Sequence, residues 1–210
     1  MDDKILDIST KMKVHYSQTF QEHGPNARGV DWGKEEDVHL RYGKMLAVSR
    51  YSEDDSYTLL DVGCGYGGLL QYAREHGKAI QYTGIDLCES MIEFGREKFS
   101  HATFLCQDIM EYQTEKQFDY VVCNGILTQK LTASILDMDY FARQLIRKMY
   151  HLSKKGIAFN VMTNKVNFMV SNLYYKSPVE MVNFCMEEVS TKIILDHAYP
   201  LYEYTIYLYH

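Results

Sequence analysis

TLLDVGCGYGG, residues 58–68, runs from apolar residues through Asp61 into four glycines within six positions. That order describes a buried strand that breaks sharply and feeds a helix. Glycine lets a loop backbone approach a ligand because it carries no Cβ. The spacing of Gly63, Gly65 and Gly68 satisfies GxGxxG, and Asp86 follows Gly65 by twenty-one residues at the end of the next apolar run, AIQYTGIDL. A dinucleotide fingerprint is therefore formally present. Alone, the spacing does not choose between nucleotide cofactors.

Outward from this stretch the chain alternates between strand and helix patterns. YTLLDVG is followed by GGLLQYAREHG, then AIQYTGIDL by ESMIEFGREKF, and then come the strands ATFLCQDI and FDYVVCNGIL with a short or missing helix between them. Asp137 to Leu152 is amphipathic, SKKG forms a turn, and IAFNVMT reads as the fifth strand. Ser177 caps a helix that begins at Pro178 and runs to about Val189. TKIILDHAY and LYEYTIYLYH, separated by Pro200, then read as an antiparallel hairpin. This order predicts an α/β fold with a Rossmann-like, doubly wound seven-stranded sheet, parallel except for that hairpin. One domain over residues 1–210 is expected, with residues 1–50 as a helical covering segment: a short helix near Ile5 to Tyr16, then a second from Lys34 to Arg50.

Composition narrows the function. The net charge of -6 and a pI near 5.7 disfavour a surface that tracks phosphates, so nucleic acid is not the expected substrate. No apolar run reaches the length of a membrane span, and the charged opening MDDKILDISTKMK lacks the apolar core of a secretory signal. The expected location is cytoplasmic. Five cysteines without CxxC spacing and eight scattered histidines suggest reduced, mostly buried thiols and no metal site.

Three features around the glycine loop favour a cationic adenosine cofactor. Asp61 precedes the first glycine by two residues, where a carboxylate suits a cation, by direct contact or by fixing the loop. Met91 follows Asp86 by five residues, and CQDI puts a further acid, Asp108, at the end of the third strand. In LLDVGCGYGGLLQYA, YTGIDLCESM, CQDI and FDYVVCNGIL the chain resembles the class I S-adenosylmethionine-dependent methyltransferases, and the later element order also resembles that family.

The resemblance implies roles for particular residues. Gly63 and Gly65 would admit the methionine and ribose portions of S-adenosylmethionine, and Asp86 would accept from the ribose hydroxyls. Leu87 and Met91 would contact the adenosine, Asp108 the adenine amine and the Ile109 amide a ring nitrogen. Asn124 would border the sulfonium and the substrate. HYSQTF, GVDWG and Arg41 further resemble the leading segment of small methyltransferases, some associated with bacterial surface polysaccharides, which implies that Tyr16 and Arg41 hold the cofactor carboxylate. The implied reaction is in-line methyl transfer to an oxygen or nitrogen nucleophile, leaving S-adenosylhomocysteine. CNGI lacks the Asn-Pro-Pro-Tyr-like run common to amide and exocyclic-amine methylation, which favours a small metabolite or glycan-linked acceptor.

His15 and His23 are candidate bases, but neither can be placed against a substrate from sequence. Tyr174 and Tyr175 follow strand five and are the tyrosines expected nearest the ligand edge. A nucleotide-dependent oxidoreductase and a catalytically silent cofactor-binding module of the same fold remain alternatives at this level.

Overall fold

The computed structural model describes residues 2–210. Its centre is a sheet of eight strands: β1 (Ser56–Val62), β2 (Ala79–Asp86), β3 (Thr103–Cys106), β4 (Phe118–Cys123), β5 (Ser153–Thr163), β6 (Tyr175–Lys176), β7 (Ile193–Asp196) and β8 (Glu203–Tyr209). Seven form the path β3-β2-β1-β4-β5-β8-β7, and the two-residue β6 pairs with β5 off that path. This adds one short strand to the seven expected. Only β8 runs against its neighbours, as the terminal hairpin requires.

The helices are α1 (Asp3–His23), α2 (Glu35–Leu46), α3 (Gly68–Glu75), α4 (Glu89–Lys98), α5 (Ile135–Leu152) and α6 (Pro178–Glu188). Residues of α1, α5 and α6 pack on one face of the sheet, around Ile8, Leu145, Phe159 and Met181. Those of α2 and α3 pack on the other, around Met45, Leu69 and Tyr207. Both faces of the central strands are covered, which explains their nearly continuous apolar character.

Two boundaries differ from the sequence reading. The first helix is longer than Ile5 to Tyr16 because Asp2 caps its start by accepting from the Lys4 amide at 2.9 Å, and the buried Ile8 and Met12 are continued at the same spacing by Tyr16 and Phe20. SKKG is not a turn: β5 starts at Ser153, directly after α5, and the register against β4 shifts between Phe118 and Tyr120. No helix intervenes between β3 and β4.

Strand order reverses beside β1, with β2 on one side and β4 on the other. In such sheets the carboxyl ends of the strands open into a crevice at that point.

Candidate active site

After β1 the chain folds back onto the end of β2. The Gly63 amide donates to the Ile85 carbonyl at 2.8 Å with Gly63 at φ +72°, a left-handed conformation that a side chain would strain. The Gly65 amide donates to Asp86 Oδ2 at 2.9 Å, and the Cys88 amide to Oδ1 at 2.8 Å. Each Asp86 oxygen thus accepts one backbone N–H and retains capacity for a ligand. Burial pushes the Asp86 carboxyl up, and these backbone hydrogen bonds oppose the shift.

Asp61, 2 % exposed, accepts from the Tyr82 hydroxyl at 2.7 Å. Burial pushes its pKa up to about 7 despite that hydrogen bond, with the Asp86 charge adding to the rise. Asp108 accepts from the Met110 amide at 2.8 Å, which folds the turn after β3.

These residues surround one open cavity. Gly63, Gly65, Asp61, Asp86, Leu87, Met91, Asp108, Ile109, Asn124 and Tyr16 all line it. Ser9, Met12, Lys13 and Tyr16 lie on one face of α1, which therefore roofs the crevice. Asn124 follows β4 and is 9 % exposed, yet among the described residues neither its amide nitrogen nor its oxygen has a hydrogen-bond partner. A buried amide left unpaired costs about 1–3 kcal/mol, so the position suits a polar ligand.

A methyltransferase-domain family model matches residues 59–156. A Mycobacterium tuberculosis protein named as a methyltransferase, Rv1506c, is 31% identical over 159 residues, covering 72% of this chain and 92% of its own length. The chain belongs to the class I S-adenosylmethionine-dependent methyltransferases. The malonyl-[acyl-carrier protein] O-methyltransferase of Bacillus anthracis is 31% identical over 138 residues, or 63% of this chain, and the match spans about half of that longer protein, 48%. The fold is shared with the N-methyltransferase NodS from Bradyrhizobium japonicum, solved with S-adenosyl-L-homocysteine: TM-score 0.65, 16% identity, 95% of this chain and 98% of that one.

Several positions in this methyltransferase differ from expectation. Arg41 is absent from the cavity lining; its Nε donates to both oxygens of Glu203, at 3.1 and 3.0 Å, and its guanidinium lies over Trp32, 5.0 Å from the ring centroid. Tyr174 is fully buried away from the cavity and donates to Asp139 at 2.6 Å, because its own amide bonds the Thr128 carbonyl and draws the chain inward. Tyr175 is half-buried, and no residue of the 164–177 loop lines the cavity. Of the cysteines, Cys64 and Cys88 line the cavity, whereas Cys106 is exposed because β3 is the sheet edge.

Neither candidate histidine reaches the cavity wall. His15 Nε2 lies 3.0 Å from Asp31 Oδ2, which also accepts from the Gln129 amide at 2.6 Å, and His23 sits at the end of α1 beside Glu22. Sequence reasoning missed Trp32, the chain's one tryptophan, and Gly125, both of which line the cavity. The signal for Gly125 was its place directly after Asn124 in CNGI. Among the described residues no helix is long and apolar enough to cross a membrane.

Proposed function

We propose that this cavity binds S-adenosylmethionine along the glycine loop and the ends of β2 and β3, and directs its methyl group at a small metabolite or glycan-linked acceptor beside Asn124. The observation that carries this reading is the buried, unpartnered amide of Asn124, on the same cavity as Asp86 and Asp108. Asp86 has acceptor capacity for two ribose hydroxyls, and Asp108 with the Ile109 amide suits the adenine edge. Leu87 and Met91 supply apolar contact, and the left-handed Gly63 and Gly65 present bare backbone to the ligand at those two positions.

Asp61 and Tyr16 are among the polar groups of the wall, and we assign them to the methionine portion. An ionised Asp61 favours a cation in this poorly solvated place. When bound, the cofactor supplies a methyl group on a sulfonium whose departure as a neutral thioether needs no further activation. The chain's part is then to align the acceptor and exclude water, with Asn124 able both to donate to and accept from it. An oxygen or nitrogen acceptor fits that amide. Methylation of a carrier-bound acid by the B. anthracis relative is in keeping with an oxygen acceptor.

Incubation with methyl-labelled S-adenosylmethionine and fractionated small metabolites tests the assignment. Label should move to a low-molecular-weight oxygen or nitrogen acceptor, and the Asn124→Ala variant should slow that transfer. Cofactor binding without transfer to any fraction would leave a silent binding module and overturn the proposal.

A further inference from the structure

A buried circuit of polar contacts runs from the last strand to the cavity wall. Glu203, at the start of β8, is 3 % exposed. Besides Arg41 Nε, it accepts from Asn160 Nδ2 at 3.2 Å. Asn160, 1 % exposed within β5, uses its other side-chain atom, Oδ1, to accept from the Gly125 amide at 2.8 Å. Gly125 stands at φ +92°, and a Cβ there would come within 2.8 Å of Trp32 Cζ2, so the indole lies directly against this backbone. Arg41 stacks on the same indole and closes the circuit.

Removing a carboxylate and a guanidinium from water is costly, and an apolar pair would fill the same space without that cost. The geometry assigns Glu203 a positioning role: through Arg41 it sets Trp32, and through Asn160 it sets Gly125, so that two neighbouring pieces of cavity wall are fixed by one carboxylate. The role deepens the proposed function and rests on it only for the identity of the ligand. Arg41 acts here as a support for Trp32. Two features fit a positioning role better than simple cohesion of the fold. Both branches end on residues that line the cavity, and Gly125 adjoins the unpartnered Asn124.

Because Trp32 is the sole tryptophan, its fluorescence reports the wall without any acceptor. Glu203→Gln preserves volume but turns an amide donor toward the guanidinium. In the unliganded full chain the variant should keep its far-UV circular dichroism and cooperative melting, while Trp32 emission shifts to the red and acrylamide quenching rises. S-adenosylhomocysteine binding, measured by calorimetry, should weaken by about 10-fold, equivalent to some 1.4 kcal/mol.

Arg41→Lys provides a second route if Glu203→Gln does not fold. It leaves a cation for Glu203 but no planar group over the indole, and should raise quenching to a smaller extent. The Lys155→Met variant, which breaks the exposed pair with Asp54, should leave emission unchanged. Unchanged Trp32 emission and quenching in a folded Glu203→Gln or Arg41→Lys protein would overturn the positioning role. A wild-type chain that binds no S-adenosylhomocysteine, but whose variants show the Trp32 change, would instead overturn the proposed cofactor site and retain the positioning role.

Discussion

The hydroxyl of Tyr82 donates to Asp61 across 2.7 Å in the interior of the sheet, linking β2 to β1 just before the glycine loop. This hydrogen bond offsets part of the effect of burial on the Asp61 carboxyl, and the pKa still stands at about 7. Between about pH 4 and 7, the folded chain keeps a proton that an unfolded aspartate has lost. Asp61 therefore lowers stability as pH rises through that window, and its cost is complete above pH 7. Asp61→Asn retains an acceptor for Tyr82 and removes the titration. Urea unfolding should show the variant gaining about 2–3 kcal/mol relative to wild type between pH 5 and 8. An equal difference at both pH values would place the Asp61 pKa elsewhere.

The same titration couples to binding. A cationic cofactor beside Asp61 favours the carboxylate, so binding near pH 6.5 should release a fraction of a proton and affinity should rise from pH 6 to 8. Calorimetry of S-adenosylmethionine in two buffers of different ionisation enthalpy reads this directly. Absence of proton release would remove Asp61 from contact with the cation.

Asp86→Ala removes both oxygens offered to the ribose and should weaken cofactor binding by about 1–3 kcal/mol. It also frees the Gly65 and Cys88 amides that Asp86 now holds, so Asp86→Asn is the companion variant, keeping the side chain's size. Unaltered affinity in both folded variants would take Asp86 out of the site.

Gly63→Ala and Gly65→Ala should separate stability from binding. At Gly63, φ is +72° and a Cβ would meet Ile126 at 2.7 Å, so alanine should cost about 1–3 kcal/mol of stability. At Gly65, where φ is +53°, the nearest atoms lie at ordinary contact distances, 3.5 Å from Val30 and 3.6 Å from Met91. Its alanine variant should lose less stability and still weaken cofactor binding. Thermal melts and calorimetry on the two proteins check the order; a Gly65→Ala protein that binds normally would contradict close backbone approach.

Asn124→Ala should leave the melting temperature of the unliganded protein unchanged or raised, because the amide has no partner to lose. Its effect should fall on methyl transfer. A marked loss of stability would mean that Asn124 holds the fold, and would remove the reason for placing an acceptor beside it.

What was legible in the sequence follows from how far apart the contacting residues lie. Asp86 ends β2 and Asp108 stands in the turn just after β3, both strands readable from local apolar runs, and the topology then brings the two acids to one edge. Glu203 meets Arg41 across 162 positions, and no local pattern marks a glutamate in an apolar strand as that partner. Arg41 therefore looked free to bind a carboxylate. Tyr174 departs from expectation for a related reason: its amide bonds the carbonyl of Thr128, distant in sequence, and that contact, invisible in a polar loop, takes the tyrosine inside. Asn160 stands between the apolar Phe159 and Val161, and its purpose emerges only from the Gly125 amide beside it.

The most direct measurement is a crystal structure of the full chain with S-adenosylhomocysteine. The account predicts ribose hydroxyls on Asp86, adenine between Asp108 and the Ile109 amide, and the sulfur facing Asn124. A ligand bound away from the glycine loop, or one whose sulfur faces the closed interior with Asn124 untouched, would contradict it.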